Sequence, residues 1–305
     1  MGIFNKKKKS QNVDNSSEEV LQQDLSIEDC NSGRVFIVHL LMEEKCTMPD
    51  KEYMIEVMNK HLGNVNCFMH DNKMASFSVM NRITQFKDGS MPASLMITEC
   101  FEIEKPLLDN IGESQLWDCP NGKEILATCK YHVIANDMLA GGLESHDRAE
   151  MLVEYIEALV EMYPECKAVL IDNSGKMLSR ESILSCDMPK NRKYINYAVN
   201  VRCFTIQGTE DMLVDTIGMS TLYLPDLQYH FHGMNPDEVV NHAYNVLSYI
   251  YDSDNSIKSG DTIDGIEGDM MSQNVQWKVR YENSLIQPVR EVLDVNMNEY
   301  AAGQR

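Results

Sequence analysis

Five residues in the last third of the chain have the types and spacing that could do chemistry: Asp226, His230, His232, Glu238 and His242. Imidazole nitrogens with a carboxylate are the donor set of zinc and iron sites, and a metal held by them could activate water for hydrolysis. On a strand, residues 226, 228, 230 and 232 project from one face, so His230-Phe231-His232 aims two imidazoles one way and a phenyl ring the other. On a helix, Glu238 and His242 lie four apart and share a face. The connection through Gly233 is short enough for that helix to fold back near the strand. This reading expects one transition metal ion such as zinc, with Asp226 or Glu238 as general base. The same residues have a plainer reading, in which the histidines line a wet strand face, Glu238 caps a helix and no cofactor is bound.

Other candidates carry less. His39 and His132 lie inside apolar runs and read as hydrogen-bonded core histidines. His61, His70 and His146 read as surface residues. Cys100 follows Glu99 at the end of an apolar strand and reads as an inert buried thiol. The chain has no G-x-S-x-G elbow, no Rossmann or Walker glycine spacing and no H-E-x-x-H. Catalytic residues are therefore not assigned, and the chain reads as leaning away from an enzyme.

The elements that must position the candidate residues are well signalled. Asn235 caps a helix with Pro236 at N1 and Glu238 at N3. Val239, Val240, Ala243, Tyr244, Leu247, Ile250 and Tyr251 make its apolar stripe. Strands are expected at Val214–Leu222, Leu227–Phe231 and Val275–Tyr281, and an irregular tail from Ser284. Earlier, Val35–Met42 reads as a buried strand and Asp50–Gly63 as a helix striped by Met54, Val57, Met58 and Leu62. Val65–Met69, Ala75–Gln85 and Ser94–Phe101 follow as strands. A turn-rich linker, 105–125, is anchored by Trp117. The next strand, near Ala127–Ala135, precedes a helix capped by Asp147 with Glu150 as its capping-box partner. Leu152, Tyr155, Ile156, Leu159 and Tyr163 form the stripe of that helix, and Pro164 ends it. Ala168–Asp172 and Ile195–Ile206 are further strands, separated by a basic loop at Pro189–Lys193.

The order strand, helix, strand, strand occurs twice. The expected fold is α+β, with two related lobes around mostly antiparallel sheet and a suspected pseudo-duplication. The lobes would span 33–104 and 126–305. Residues 1–32 pass from the lysines Lys6–Lys9 to an acidic stretch and read as a dispensable, disordered leader with one short helix near Glu18–Leu25.

Composition bounds the function. The chain has 305 residues, 27 Lys and Arg against 47 Asp and Glu, and a formal net charge of −20. Such a chain is repelled by nucleic-acid phosphates and suits a basic protein partner. Nine scattered cysteines without a CxxC argue for a reducing cytoplasm rather than a disulfide framework. No apolar run is long enough for an integral membrane segment.

Several blocks resemble a known family in order: GMSTLYLPDLQYHF (Gly218–Phe231), NPDEVV (Asn235–Val240), SGDTIDG (Ser259–Gly265) and YENSLIQPVREVLDV (Tyr281–Val295). Residues 213–300 resemble the bacterial domain of unknown function 4261 family. The resemblance implies a bacterial, cytosolic α+β protein and supplies no catalytic residues. The leading expectation is an acidic, non-enzymatic protein-interaction module, with an immunity- or antitoxin-like role among its forms. The alternative is a metal-binding protein or metal-assisted hydrolase using Asp226–His242.

Overall fold

The computed structural model describes residues 35–87 and 89–303. The expected leader and its short helix lie outside the described residues. Among the described residues, thirteen strands and seven helices form an α+β fold with two sheets. The first seven strands are β1 (Ile37–Met42), β2 (Val65–His70), β3 (Met74–Phe86), β4 (Gly89–Glu102), β5 (Tyr131–Met138), β6 (Ala168–Ile171) and β7 (Lys176–Ser179). They make one antiparallel sheet in the order β2-β3-β4-β5-β1-β6-β7. The second sheet contains β8 (Asn200–Thr205), β9 (Met212–Ile217), β10 (Asp226–Phe231), β11 (Thr262–Glu267), β12 (Met270–Asn283) and β13 (Glu291–Asn296). Its order is β11-β12-β13-β10-β9-β8, and its one parallel pair is β10 with β13. Strands β5, β6 and β7, from the segment read as the start of the second lobe, thus complete the first sheet.

The helices are α1 (Lys51–Leu62), α2 (Asn110–Ser114), α3 (Gly122–Thr128), α4 (Ser145–Met162), α5 (Arg180–Leu184), α6 (Lys190–Ala198) and α7 (Pro236–Asp252). In α1 the Asp50 carboxylate accepts from Tyr53 N, and Gly63 closes the helix at φ 88°. The four residues of its expected stripe are all buried, as the 3.6-residue period requires. One large core runs from the first sheet through α1, α4, α6 and α7 to the second sheet. Alternation on β1 splits its side chains between this core (Val38, Leu40, Met42) and a smaller one (Leu41) covered by the α2–α3 segment.

Several expectations are corrected. Pro189–Lys193 is not a loop and Ile195 does not start a strand: α6 occupies 190–198, because Tyr194, Ile195, Tyr197 and Ala198 are buried at helical spacing. The basic residues of that segment reach carboxylates, Lys190 to Glu154 at 3.0 Å and Lys193 to Glu157 at 2.6 Å. Helix α4 begins at Ser145, before Asp147, and Arg82 holds both Asp147 and Glu150 in place of a capping box. The linker carries α2 and α3, and β5 starts at Tyr131 rather than Ala127. Trp117 does not anchor it: the ring is 61% exposed, and its Nε1 donates to Gln115. Strand β9 stops at Ile217, where Gly218 turns at φ 138° into a 3-10 segment, Met219–Leu222. A Cβ at Gly218 would lie 2.5 Å from the Ala198 carbonyl, so the close passage of the chain there requires glycine. The tail is not irregular: β13 lies inside the sheet between β12 and β10, with Val292–Val295 buried.

Helix α7 starts as its cap signals dictate, with the Asn235 side chain accepting from Asp237 N at 3.1 Å. Asn235→Ala is expected to destabilise the fold by about 1 kcal/mol through the orphaned N–H. Urea denaturation measures it; an unchanged midpoint would mean that the cap contributes nothing to the start of α7.

Candidate functional site

The sheet separates the five sequence-predicted residues. Strand β10 sends Leu227, Tyr229 and Phe231 into the large core under α7, so Asp226 and His230 face the other way. The short link through Gly233 does bring α7 back, but onto the Phe231 face. His242 is therefore buried on the side away from Asp226 and His230. Its Nε2 must donate to the Asp264 carbonyl at 2.7 Å, which leaves Nδ1 to accept from the Tyr229 hydroxyl at 3.0 Å. Burial holds its pKa below the ordinary value. The imidazole is thus a neutral bracket joining α7, β10 and the edge strand β11, with the Trp277 ring 4.8 Å away. His230 lies 3.7 Å from Asp211, and His232 is exposed beyond the end of β10. Glu238 accepts from Asn235 Nδ2 at 3.3 Å. Among the described residues no three His, Cys, Asp or Glu side chains stand close enough to hold a metal ion.

Asp226 belongs to a buried ionic network instead. Arg202 on β8 forks onto its register partner Asp215 on β9, at 2.8 and 2.6 Å. Arg290 bridges from Asp215 at 2.8 Å to Asp226 at 3.4 Å. Its guanidinium also donates to the Thr216 carbonyl. Asp226 further accepts from Thr216 Oγ1 at 3.1 Å and Met219 N at 3.2 Å. Burial raises the Asp226 carboxyl, and Arg290 opposes that rise. Two arginines balance two aspartates, so the network is neutral and its donors are aimed at carboxylates and carbonyls. It ties the chain before β13 onto the face of β8, β9 and β10. Sequence reading missed it because Arg290 is 75 positions from Asp215. The available signal was a lone aspartate inside the apolar run Leu213–Ile217.

Concave surfaces lie elsewhere on the described residues. A groove of about 500 Å³ lies between α7 and the β11–β12 hairpin. Its floor holds the buried side chains of Val246 and Ile257, and its rim carries Asn245, Tyr249, Asp261 and Asp264. Tyr249 is 55% exposed and Met271 40%. The stretch 236–271, which builds it, has eight carboxylates (Asp237, Glu238, Asp252, Asp254, Asp261, Asp264, Glu267, Asp269) against one cation, Lys258. A larger cleft of about 910 Å³ opens where the two sheets meet, between the β6–β7 turn, α2, β8 and the segment 285–288.

A pair of histidines lies in the first sheet. His39 and His132 stack at 5.0 Å with their Nδ1 atoms 3.0 Å apart, both buried, as the apolar runs around them suggest. One Nδ1 donates and the other accepts. Burial, and then the neighbouring His39, push His132 down to about 4.

No helix among the described residues is long and apolar enough to cross a membrane. No curated protein and no solved structure matches the chain. The segment that holds the whole groove and all of the ionic network except Arg202, residues 215–296, matches the family described as Domain of unknown function (DUF4261).

Proposed function

We propose that the protein is a non-enzymatic interaction module that takes up a basic segment of a partner protein in the groove between α7 and the β11–β12 hairpin. The observation that carries this reading is the pairing of an apolar floor with two lining carboxylates, Asp261 and Asp264, and no lining cation at that groove. Apolar contact supplies affinity, and the one-signed charge steers a cationic partner and excludes an anionic one. The net charge of −20 favours the same class of partner. The reading places the chain in a bacterial cytoplasm, and the eight described cysteines, all free thiols, accord with a reducing compartment. An immunity- or antitoxin-like role, neutralising a basic protein, is the form of interaction that such a surface suits.

The test is a fluorescence-anisotropy titration with a helical peptide of alternating Lys and Leu turns, beside its Glu and Leu counterpart. The basic peptide is expected to bind, and to weaken about tenfold or more between low and high salt. Asn245→Arg, which adds a cation at the rim, and Tyr249→Ala, which removes an exposed anchor, should each weaken it. Equal binding of the acidic peptide, or indifference to both variants, would refute the proposal.

A further inference from the structure

Two thiols brought together beside β4 carry a separate inference. Along β4, Ala93, Leu95 and Ile97 enter the large core at alternate positions. Unbroken alternation would send Glu99 there next. The pairing of β4 with β5 instead slips between Ile97 and Cys100, so Cys100 falls opposite Val133 and takes the core position. Thr98 Oγ1 accepts from Ile134 N at 3.0 Å and mends the ladder at the slip. A bulge of this kind re-aims one side chain, and here that side chain is a thiol, 2% exposed.

The partner is Cys46, in the segment 43–50 that joins β1 to α1. It is half-buried and packs against the same core. Its backbone N–H donates to Cys100 Sγ at 3.4 Å, and the two thiols are hydrogen-bonded to each other. An N–Cα bond is about 1.46 Å long, so Cys100 Sγ lies within about 5 Å of the Cys46 Cα. A sulfur carried on the Cys46 Cβ reaches it there without a movement of β4. Other thiols are placed differently: Cys67 and Cys166 donate to the carbonyls of Met69 and Ala168, and Cys119 donates to the Asn121 side chain. Burial, and then the Cys100 thiol, push Cys46 up to about 12. At neutral pH it is therefore almost wholly protonated and reacts slowly, as a group that responds to sustained oxidant and not as a rapid scavenger.

We infer that Cys46 and Cys100 form an oxidative modification site, which an oxidant of the peroxide class closes into a disulfide that fastens the segment 43–50 to β4. Cys46, the more exposed of the two, meets the oxidant. Its sulfur attacks one peroxide oxygen, the O–O bond breaks, and a sulfenic acid and one water result. The Cys100 sulfur then attacks the Cys46 sulfur. The S–S bond forms, the S–O bond breaks, and the departing hydroxide takes the Cys100 proton as a second water. The two thiols lose two electrons, and the peroxide is reduced to two waters. The bridge spans 54 positions, so it closes a long loop in the unfolded chain and stabilises the oxidised form. The segment it fastens runs directly into the Asp50 cap of α1, and His70 Nε2 already holds its Pro49 carbonyl at 3.1 Å. The site is distinct from the α7 groove, and nothing in it depends on the groove's function.

The test treats the full chain with hydrogen peroxide, alkylates the remaining thiols and maps linked peptides by mass spectrometry. The melting temperature of the oxidised chain is read before and after reduction with dithiothreitol, which reopens a disulfide and leaves oxidised methionines as they are. A Cys46–Cys100 linkage is expected as the main cross-link, with a melting temperature several degrees higher before reduction than after it. Cys46→Ser changes a half-buried residue in an irregular segment, and it should abolish both the linkage and the difference. Cys100→Ala should leave Cys46 as a sulfenic acid that dimedone labels, whereas the parent chain takes up little label there. Should Cys100→Ala fold poorly, Cys46→Ser decides alone. Full alkylation of both cysteines after the oxidant, linkage of other cysteines in greater yield, or passage of Cys46 to a sulfinic acid without a bridge would each overturn the inference. So would a melting difference in Cys46→Ser as large as that of the parent.

Discussion

Arg290→Met is expected to destabilise the fold by about 3–5 kcal/mol, the largest effect of any single change considered for this protein. The guanidinium is 2% exposed and stands between two carboxylates, Asp215 and Asp226, themselves at 0% and 1%. Removing it leaves Arg202 to satisfy Asp215 and strips Asp226 of the guanidinium beside it, so a desolvated negative charge remains. The segment before β13 also loses the donor that holds it to the Thr216 carbonyl. Asp226→Asn should cost far less. It removes the charge but keeps an acceptor for Thr216 Oγ1 or Met219 N, and its own burial becomes easier. Urea denaturation of the two variants gives the order directly. A loss below about 1 kcal/mol for Arg290→Met would place the network among ordinary solvated ion pairs and refute this account of it.

Acidification from pH 7 to pH 4 should remove about 3 kcal/mol of stability through His132 alone. In the unfolded chain this imidazole titrates at its ordinary 6.5, and in the fold it is pushed down to about 4. Between those values the unfolded state binds the extra proton, so stability rises with pH and is lost as pH falls from 6.5 toward 4. The expected loss is about 2 kcal/mol by pH 5, before most carboxylates titrate. The geometry gives the reason. Two Nδ1 atoms 3.0 Å apart can share one proton, whereas a second proton sets two donors face to face in a buried site. His242, also lowered by burial, adds a slope of the same sign. His132→Gln should flatten the decline between pH 7 and pH 5 relative to the parent chain. Parallel curves for the two proteins would exclude the histidine pair as its source.

The local signals in the sequence were sound wherever one element decided the outcome. Asp50 and Asn235 cap the helices that their positions announce, the stripes of α1 and α4 are buried as their periods require, and of the α7 stripe all but the half-buried Val240 and Tyr244 are buried. The parity of His230 against Phe231 was also legible. What the sequence does not encode locally is which face of β10 the next helix covers. That choice separates His242 from Asp226 and His230, and the five candidates end as a network carboxylate (Asp226), a buried bracket (His242), a histidine beside Asp211 (His230), an exposed histidine (His232) and a partner of the helix cap (Glu238). The errors have the same origin. Ile195, Tyr197, Val199 and Val201 carry an alternation that imitates a strand beginning at Ile195, yet the carboxylates of α4 and the large core select a helix over 190–198. The tail looks irregular because its pairing partners, β10 and β12, lie far from it or across a loop, and only the sheet supplies them. The acidity of 236–271 is open to reading in the sequence, eight carboxylates to one lysine, but the groove is not, because its apolar floor comes from Val246 and Ile257 on two separate elements and only Asp261 and Asp264 of those acids line it.

The most direct measurement of the central claim is a hydrogen-exchange footprint of the Lys–Leu peptide on the full chain at low salt. The account predicts slowed exchange confined to the last two turns of α7 and to residues 256–271, lost when salt is raised and lost in Asn245→Arg. Protection spread over the acidic surface without focus on that groove, or protection that survives Asn245→Arg, would contradict it.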